Sequence, residues 1–332
     1  MKAMVLKSCS PIEQNPLVEA EVSVPVPNEN EVLINIKACG ICHTDLHIIE
    51  GELPSRKLPL IPGHQIVGVV EGMGERISRF KKGDRVGIPW LNSVCGKCSF
   101  CKKGKENLCD NISFTGYNVN GGFAQYISMN ERFAYHIPQG FSDLQAAPLL
   151  CAGVIGYRAF RLSEIKEGER LALYGFGASA HIVIQMAVFD GIEVYVFTRN
   201  REHQRLAEKL GASWVGTAKD KPPSFFDSAI IFAPAGELVT EALWYLQKGG
   251  TIALAGIHMS PIPEMDYNLV YNERTIRSVA NSTRQDAEEL LKIAAKIPIK
   301  TEVEVFPLKD ANQALQHLKY SKIQGAGVLE IP

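Results

Sequence analysis

The sequence predicts an α/β protein that combines a β-rich module with a separate unit built on a parallel sheet. Up to about Leu150, short stretches of alternating apolar and polar residues, such as 31–37 and 66–71, are separated by proline and glycine turns. From Leu171 onward, strand-like apolar runs alternate with helix-like runs, which is typical of βαβ units. The first pattern indicates a barrel-like module, and the second indicates a doubly wound parallel sheet.

The elements of the second unit are expected to follow one another closely along the chain. In order, we predict strand 171–174, a helix from 178, strand 194–197, a helix over 200–210, and strands 228–232, 251–256 and 275–280. After Ser282 we expect two helices and a terminal strand. The predicted domains are therefore 1–152, 153–282 and 283–332, with the parallel-sheet unit inserted between two parts of the β-rich unit.

Composition narrows the class of protein. The chain has 332 residues, 46% hydrophobic and 21% charged, which is enough apolar material for two buried cores. A net charge of −1 and the lack of a basic stripe argue against a nucleic-acid partner. The most apolar stretch, 171–189, is interrupted by Gly175, Ser179 and Gln185, so we expect no membrane span. The N-terminal residues lack a secretory pattern, and we expect a cytoplasmic protein.

Four cysteines in one loop form the strongest local signal. Cys95, Cys98, Cys101 and Cys109 have the spacing C-x2-C-x2-C-x7-C, which allows four thiolates to surround one tetrahedral zinc ion. Four protein ligands leave no position for a substrate, so the expected role of this ion is structural. An iron–sulfur cluster and two disulfides are the alternatives. The x7 gap and the absence of Cys-Pro disfavour the cluster, and the lack of an export signal disfavours disulfides.

Further motifs resemble a known family. The sequence reads CGICHTDLH from Cys39 to His47, PGHQ from Pro62, and LLCAGVIGYRAF around Cys151. Together with the four-cysteine loop, and in this order, these segments resemble the zinc-dependent medium-chain dehydrogenases of the alcohol dehydrogenase type. The resemblance extends over essentially the whole chain. It implies a GroES-like catalytic domain and a Rossmann-type dinucleotide-binding domain.

The resemblance makes Cys42, His64 and Cys151 the ligands of a second, catalytic zinc ion, so that two ions are expected per chain. Three protein ligands leave one position for water or substrate. An open zinc site lowers the pKa of an alcohol and so prepares its carbon to release hydride. The alternative for Cys42 is a thioredoxin-like pair with Cys39, but no βαβ pattern surrounds that pair.

The residues after Cys42 match other positions of the family. By resemblance, Thr44 and His47 relay the alcohol proton to solvent together with the cofactor ribose, and histidine suits this role because it exchanges protons near neutral pH. His43 corresponds to a contact with the cofactor pyrophosphate. Asp45 corresponds to the carboxylate that orients the ligand His64.

One departure from the family lies next to a ligand. The usual Gly-His-Glu is replaced by Gly63-His64-Gln65. A neutral amide therefore stands where relatives have a carboxylate, and the expected site carries one fewer negative charge. Since the ligands are retained, we expect Gln65→Glu to change the rate without loss of zinc.

The segment LALYGFGASA indicates a dinucleotide site. Two glycines follow an apolar strand and precede an apolar helix, and Ala180 stands at the place of the usual third glycine. In this setting the helix N-terminus is suited to a pyrophosphate, although a plain tight turn is the alternative. The expected cofactor contacts in this turn are Gly175, Phe176, Gly177, Ala178 and Ser179.

The residues after the next strand favour NADP(H) over NAD(H). An acid is expected there for the ribose 2′-hydroxyl, but the sequence has Thr198, Arg199 and Asn200. A guanidinium binds a 2′-phosphate well, whereas a carboxylate repels it. The alternative is that Arg199 and Arg201 only begin a solvated helix.

Substrate and assembly are inferred by resemblance alone. Trp90 and Leu53, with Thr44, match positions that line the alcohol pocket, and they indicate a narrow apolar slot for small primary alcohols and aldehydes. We expect a homo-oligomer, a tetramer or alternatively a dimer, in which strand 251–255 extends a sheet across subunits. Two other functions stay open: an NADPH-dependent reductase of activated, cinnamyl-type aldehydes, and a catalytically silent sensor that binds zinc and cofactor.

Overall fold

The computed structural model describes residues 1–53, 57–297 and 299–332. Contacts divide the chain into two compact units. Unit one comprises Met1–Cys151 and Ser282–Pro332, and unit two comprises Ala152–Asn281. Unit two is thus inserted in the sequence of unit one.

Strands and helices are numbered in chain order. The strands are β1 (Lys2–Leu6), β2 (Leu17–Glu21), β3 (Glu31–Gly40), β4 (Gln65–Met73), β5 (Arg85–Ile88), β6 (Leu91–Ser93), β7 (Ser113–Phe114), β8 (Tyr126–Asn130), β9 (Tyr135–His136), β10 (Arg170–Tyr174), β11 (Glu193–Phe197), β12 (Trp214–Gly216), β13 (Phe226–Ile231), β14 (Leu246–Leu254), β15 (Thr275–Ser278), β16 (Val303–Pro307) and β17 (Ala326–Glu330). The α-helices are α1 (His43–Ile49), α2 (Ser99–Lys102), α3 (Asp143–Ala146), α4 (Ala152–Leu162), α5 (Ala180–Phe189), α6 (Arg201–Lys209), α7 (Glu237–Tyr245), α8 (Arg284–Lys296) and α9 (Ala311–Lys319).

Unit one is built around a sheet of order β16-β17-β3-β4-β5-β9, with β8 also paired to β3. The β16/β17 pair is parallel and the other pairs are antiparallel. Alternate residues of β3, among them Val32, Ile34 and Ile36, are fully buried, as expected for a strand with one face on the core. Strand β3 holds the centre of the unit, and its end at Gly40 leads directly into α1.

Unit two contains a wholly parallel sheet of order β12-β11-β10-β13-β14-β15. Its central strands are buried along their whole apolar runs, as a parallel sheet covered on both faces requires. The strand order reverses between β10 and β13, which is the doubly wound arrangement. The α/β fold class predicted from the sequence is therefore confirmed.

Several elements differ from their sequence-based expectations. Helix α5 begins at Ala180 rather than at 178, and β12, α7 and β16 were not predicted. The proposal that strand 251–255 extends a sheet across subunits is wrong, because β14 lies between β13 and β15 and is hydrogen-bonded on both sides. Its apolar character reflects burial within the sheet, and the two edge strands are β12 and β15.

Among the described residues, no helix combines the length and the apolar character needed to cross a membrane.

Candidate functional site

The first candidate site forms where β3 ends and β4 begins. Gly40, the last residue of β3, pairs with Gln65, the first residue of β4. Cys42 and His64 flank this pair, so the register of the two strands brings them together although they are far apart in sequence. Cys42 is the N-cap of α1, and its Sγ accepts a hydrogen bond from the Thr44 backbone N–H at 3.5 Å.

Asp45 connects these segments. Its carboxylate accepts hydrogen bonds from the backbone N–H groups of Cys42 (2.9 Å) and Gly63 (3.2 Å), and it lies 3.0 Å from Nδ1 of His64. The side chains of Asp45 and His64 are both 0% exposed. Since a carboxylate accepts the Nδ1 proton, Nε2 is left with its lone pair, as a metal ligand requires.

Gly63 permits the turn that delivers His64. Its φ is +95°, a conformation that favours glycine, and a Cβ at this position would collide with the Phe123 ring. The close approach of Phe123 and the backbone conformation therefore both require glycine immediately before the ligand.

Cys151 completes a set of three donors. It follows the short 3₁₀ helix Ala147–Leu150, and its Sγ lies 3.3 Å from Nε2 of His64. One donor atom each from Cys42, His64 and Cys151 lies within 4.8 Å of the others. The hydrogen bond between the Cys42 and Cys151 side chains lowers the pKa of the Cys42 thiol and raises the pKa of the Cys151 thiol. Two sulfurs and one imidazole nitrogen are ligands that zinc accepts in open sites, so this donor set fits the ion.

The four-cysteine loop forms a second cluster in unit one, with the Sγ atoms of Cys95, Cys98, Cys101 and Cys109 within 4.8 Å of one another. Backbone N–H groups point at the sulfurs: Cys98 donates to Cys95 at 3.4 Å, and Cys101 donates to Cys98 at 3.5 Å. Hydrogen bonds from Lys97 and Cys98 lower the pKa of Cys95 to about 6. All eight cysteines lie in the described residues and none is disulfide-bonded. The loop therefore presents a compact set of four sulfur donors that fits zinc.

An ion pair that the sequence analysis did not predict fastens this loop to α8. Glu106, between the third and fourth cysteines, accepts hydrogen bonds from Arg284: Nη2 at 2.7 Å, Nε at 3.0 Å and the backbone N–H at 2.8 Å. The Glu106 and Arg284 side chains are 10% and 28% exposed. No local pattern could have revealed this pair, because its residues are 178 positions apart.

Other predicted residues of unit one lie around the three-donor cluster. Oγ1 of Thr44 lies 3.6 Å from Sγ of Cys42, and His47 lies one turn further along α1. His43 is the exposed first residue of the helix. The His47 imidazole is hydrogen-bonded to the carboxylate of Glu52, a residue that no sequence motif singles out.

Two predicted pocket residues differ in their surroundings. The Trp90 ring is buried, meets the His64 ring edge-on with centroids 4.7 Å apart, and stacks on Phe114. Leu53 is partly buried and packs against the core of unit one. The structure thus brings Trp90 into contact with a residue of the donor set.

The predicted cofactor turn lies in unit two between β10 and α5. Gly175 directly follows β10 with a φ of +87°, and a Cβ there would lie 3.0 Å from the backbone nitrogen of Ala233. The turn continues through Phe176, Gly177 and Ala178 to Ser179, after which α5 begins. The backbone N–H groups of His181 and Val183 donate to the carbonyls of Gly177 and Ser179 at 3.1 and 3.0 Å, so what this end of α5 offers an anion is the positive end of the helix dipole.

The residues after β11 have distinct roles. Thr198 is buried and its backbone N–H donates to the Gly216 carbonyl at 2.8 Å. Arg199 is exposed. Oδ1 of Asn200 accepts hydrogen bonds from Glu202 and His203 and caps α6. Arg199 is therefore the most exposed residue of the predicted trio.

Two family models match the chain. Residues 28–139 match the family model of the alcohol dehydrogenase GroES-like domain, and residues 180–296 match that of the zinc-binding dehydrogenase. The "Probable alcohol dehydrogenase AdhA" of Mycobacterium tuberculosis is 44% identical over 337 residues, covering 100% of this chain and 97% of that protein.

Two solved structures resemble the chain over nearly its full length. A cinnamyl alcohol dehydrogenase from Sorghum bicolor has a TM-score of 0.91 at 25% identity and covers 99% of this chain and 97% of that chain. CAD from Helicobacter pylori, complexed with NADP(H), has a TM-score of 0.88 at 25% identity, with coverage of 99% and 97%.

Proposed function

The chain belongs to the zinc-dependent medium-chain alcohol dehydrogenase family, and from this membership we propose that it transfers hydride between a small primary alcohol and NADP⁺, and from NADPH to the aldehyde. The family makes the chain an oxidoreductase that uses zinc and a nicotinamide cofactor. The observation that carries the proposal is the approach of one donor atom each from Cys42, His64 and Cys151 to within 4.8 Å.

Two zinc ions per chain are part of the proposal. Cys42, His64 and Cys151 would hold the catalytic ion, because a set of three protein ligands leaves a position for substrate. The four-cysteine loop would hold a structural ion. When bound, zinc supplies the Lewis acidity that makes an alcohol hydroxyl more acidic, and the nicotinamide ring supplies the hydride acceptor.

The chain supplies the path for the alcohol proton. The Thr44 hydroxyl, 3.6 Å from the Cys42 sulfur, accepts this proton while releasing its own. His47 lies three residues further along α1, on the same helix face, and imidazole takes up protons near neutral pH. Asp45 holds His64 in the orientation and tautomer of a ligand.

The preference for NADP(H) rests on the end of β11. Arg199 is exposed there, and residues 198–200, which directly follow β11, do not include the acid that would repel a 2′-phosphate. The NADP(H) complex of the Helicobacter pylori relative is consistent with this assignment. Arg199→Ala should raise the KM for NADPH by about tenfold, equivalent to ~1.4 kcal/mol, and leave the KM for NADH unchanged. The exposed Arg76→Ala is the control, and an unchanged KM for NADPH would defeat the assignment.

The substrate is tested by following NADPH and NADH oxidation with aliphatic, benzylic and cinnamyl aldehydes, together with zinc content. We expect turnover with small unbranched aldehydes and two zinc ions per chain. The likeness to the Sorghum bicolor enzyme favours one second candidate, an NADPH-dependent reductase of cinnamyl-type aldehydes. A kcat/KM that is highest for cinnamyl aldehydes selects this candidate, and binding without turnover of any aldehyde indicates a silent sensor instead.

The proposed substrate pocket is narrow. Trp90, packed against the His64 ring, limits the width of the substrate, so Trp90→Ala should favour bulkier aldehydes.

We also propose a homo-oligomer, a tetramer rather than a dimer, for which the edge strand β15 and the exposed Tyr267 and Tyr271 offer contact surface. Light scattering measures the mass in solution.

A further inference from the structure

A series of proton-bearing groups runs outward from the three-donor cluster. Exposure rises from 7% for Thr44, through 19% for the His47 side chain, to 53% for the Glu52 side chain. Thr44 and His47 share a face of α1, and Glu52 lies in the turn that follows this helix. The three groups therefore lead from a buried hydroxyl to a carboxylate in water.

The contact between His47 and Glu52 is specific to one ring nitrogen. Nδ1 of His47 is hydrogen-bonded to Oε2 of Glu52. The backbone holds the pair in place, since the N–H groups of Glu52 and Leu53 donate to the His47 carbonyl at 2.9 and 3.2 Å. An ionised carboxylate only accepts hydrogen bonds, so the proton of the neutral ring resides on Nδ1 and the lone pair on Nε2.

We propose that Glu52 is a positioning residue for the proton path, which holds the His47 imidazole in its Nδ1–H tautomer and receives the outgoing proton. This inference rests on the proposed function. One proton enters at Nε2 and forms an N–H bond, and one leaves Nδ1 through the Glu52 carboxylate to water. Exchange with water then restores the starting tautomer. The step needs no oxidant or reductant.

The neighbouring acid does not have this role. Glu50, at the C-cap of α1, accepts hydrogen bonds from the Ile12 backbone N–H at 2.9 Å and from Lys319 at 2.8 Å. Its carboxylate is thus engaged in fastening α1 to the N-terminal segment and to α9. Glu52 is the acid whose carboxylate contacts the imidazole.

The first experiment measures the tautomer of His47 by ¹⁵N NMR of the zinc- and NADP⁺-loaded protein with labelled histidine at pH 8. The His47 signals are assigned from the His47→Gln spectrum. We expect the Nδ1–H tautomer in the original chain and in Glu52→Asp, and a mixture of tautomers in Glu52→Gln. A role limited to packing would not change the tautomer. The control is Glu75→Gln, which removes the same charge from an exposed turn of unit one.

The second experiment separates kcat from KM. In Glu52→Gln we expect kcat to fall about threefold to tenfold, with the KM for NADPH unchanged, and to be partly restored by imidazole buffer. Glu52→Asp should keep most of kcat, and every variant should retain two zinc ions.

An Nε2–H tautomer in the original chain, or an unchanged tautomer and kcat in Glu52→Gln, would overturn the inference. If none of the tested aldehydes supports NADPH oxidation by the original chain, the proposed function fails. The NMR result still decides whether Glu52 sets the tautomer of His47.

Discussion

The two metal-ligand clusters of unit one consist of similar donor atoms, but one is formed by a single loop and the other by segments that are distant in sequence. The four-cysteine cluster lies within 95–109, close to the surface, and backbone N–H groups of its own loop surround its sulfurs. The cluster of Cys42, His64 and Cys151 spans more than a hundred positions and depends on Asp45, which is buried. A closed site can thus be built by one loop, whereas a site that leaves room for substrate draws its ligands from a rigid, buried frame.

The largest expected effect is the loss of one ligand from the buried cluster. Cys42→Ala should lower kcat on the order of a thousandfold and leave one zinc ion per chain, because the four-cysteine site is independent. Aldehyde reduction and metal content measure this. Cys9→Ala, at a cysteine outside both clusters, should keep both zinc ions. Retention of two ions in Cys42→Ala would contradict the assignment.

Cys98→Ala should affect stability rather than chemistry. Structural zinc supplies roughly 10–16 kcal/mol of binding free energy in small zinc domains, and part of it stabilises the folded loop. We expect a lower melting temperature in scanning calorimetry and the loss of the other zinc ion, while enzyme folded at low temperature keeps its kcat. Equal loss of both ions would show that the two sites are not independent.

Asp45→Asn tests the buried frame without removing a ligand. The amide cannot serve both His64 and the backbone N–H groups of Cys42 and Gly63 as a carboxylate does, so zinc affinity of the three-ligand site should fall about 10- to 100-fold. Competition with a chelator measures it. Asp190→Asn, at an exposed position of unit two, provides the control. An unchanged affinity would mean that Asp45 only caps α1.

Glu106→Gln tests how the four-cysteine loop is anchored. Breaking its charged hydrogen bonds to Arg284 should lower the free energy of unfolding by about 2 kcal/mol in denaturant titrations at pH 7. The exposed Glu29–Arg76 pair supplies the control, since Glu29→Gln should cost less than about 0.5 kcal/mol.

The effect of Glu106 should depend on pH. Burial opposes its ionisation, but hydrogen bonds and the charge of Arg284 hold its pKa below the ordinary value. The stabilisation is therefore complete above the unfolded-state pKa of about 4.3 and is lost as the pH falls through the lower native pKa. A difference between Glu106→Gln and the original chain that does not shrink as the pH is lowered through the acid range below about 4.3 would contradict the ion pair as its cause.

Gln65→Glu should have the smallest effect. Oε1 of Gln65 is buried without a hydrogen-bond partner in the described residues, next to Gly40 and to the ligand His64. A carboxylate there adds charge beside the site, so we expect kcat to change by no more than about tenfold, or ~1.4 kcal/mol, with two zinc ions retained. A metal-free variant would refute the view that the three ligands suffice.

The sequence predicted the features whose signals are local. The α/β fold class, the family and the oxidoreductase class are confirmed, because glycine turns, strand-like runs and metal-ligand spacing are readable in short windows. The short strand β12, by contrast, has only three residues and gives no periodic signal. Strand 251–255 was misassigned to an edge because an apolar run does not reveal its neighbours in the sheet.

By itself, the sequence determined which donors are available: four thiols at zinc spacing, and two thiols and an imidazole in family motifs. Only the tertiary structure decided how they are held. The pairing of Gly40 with Gln65, the buried carboxylate of Asp45 and the clamp of Glu106 on Arg284 join segments that are distant along the chain. Such contacts depend on strand register and on helix packing. Both are set by the fold as a whole, so no short segment of sequence specifies them.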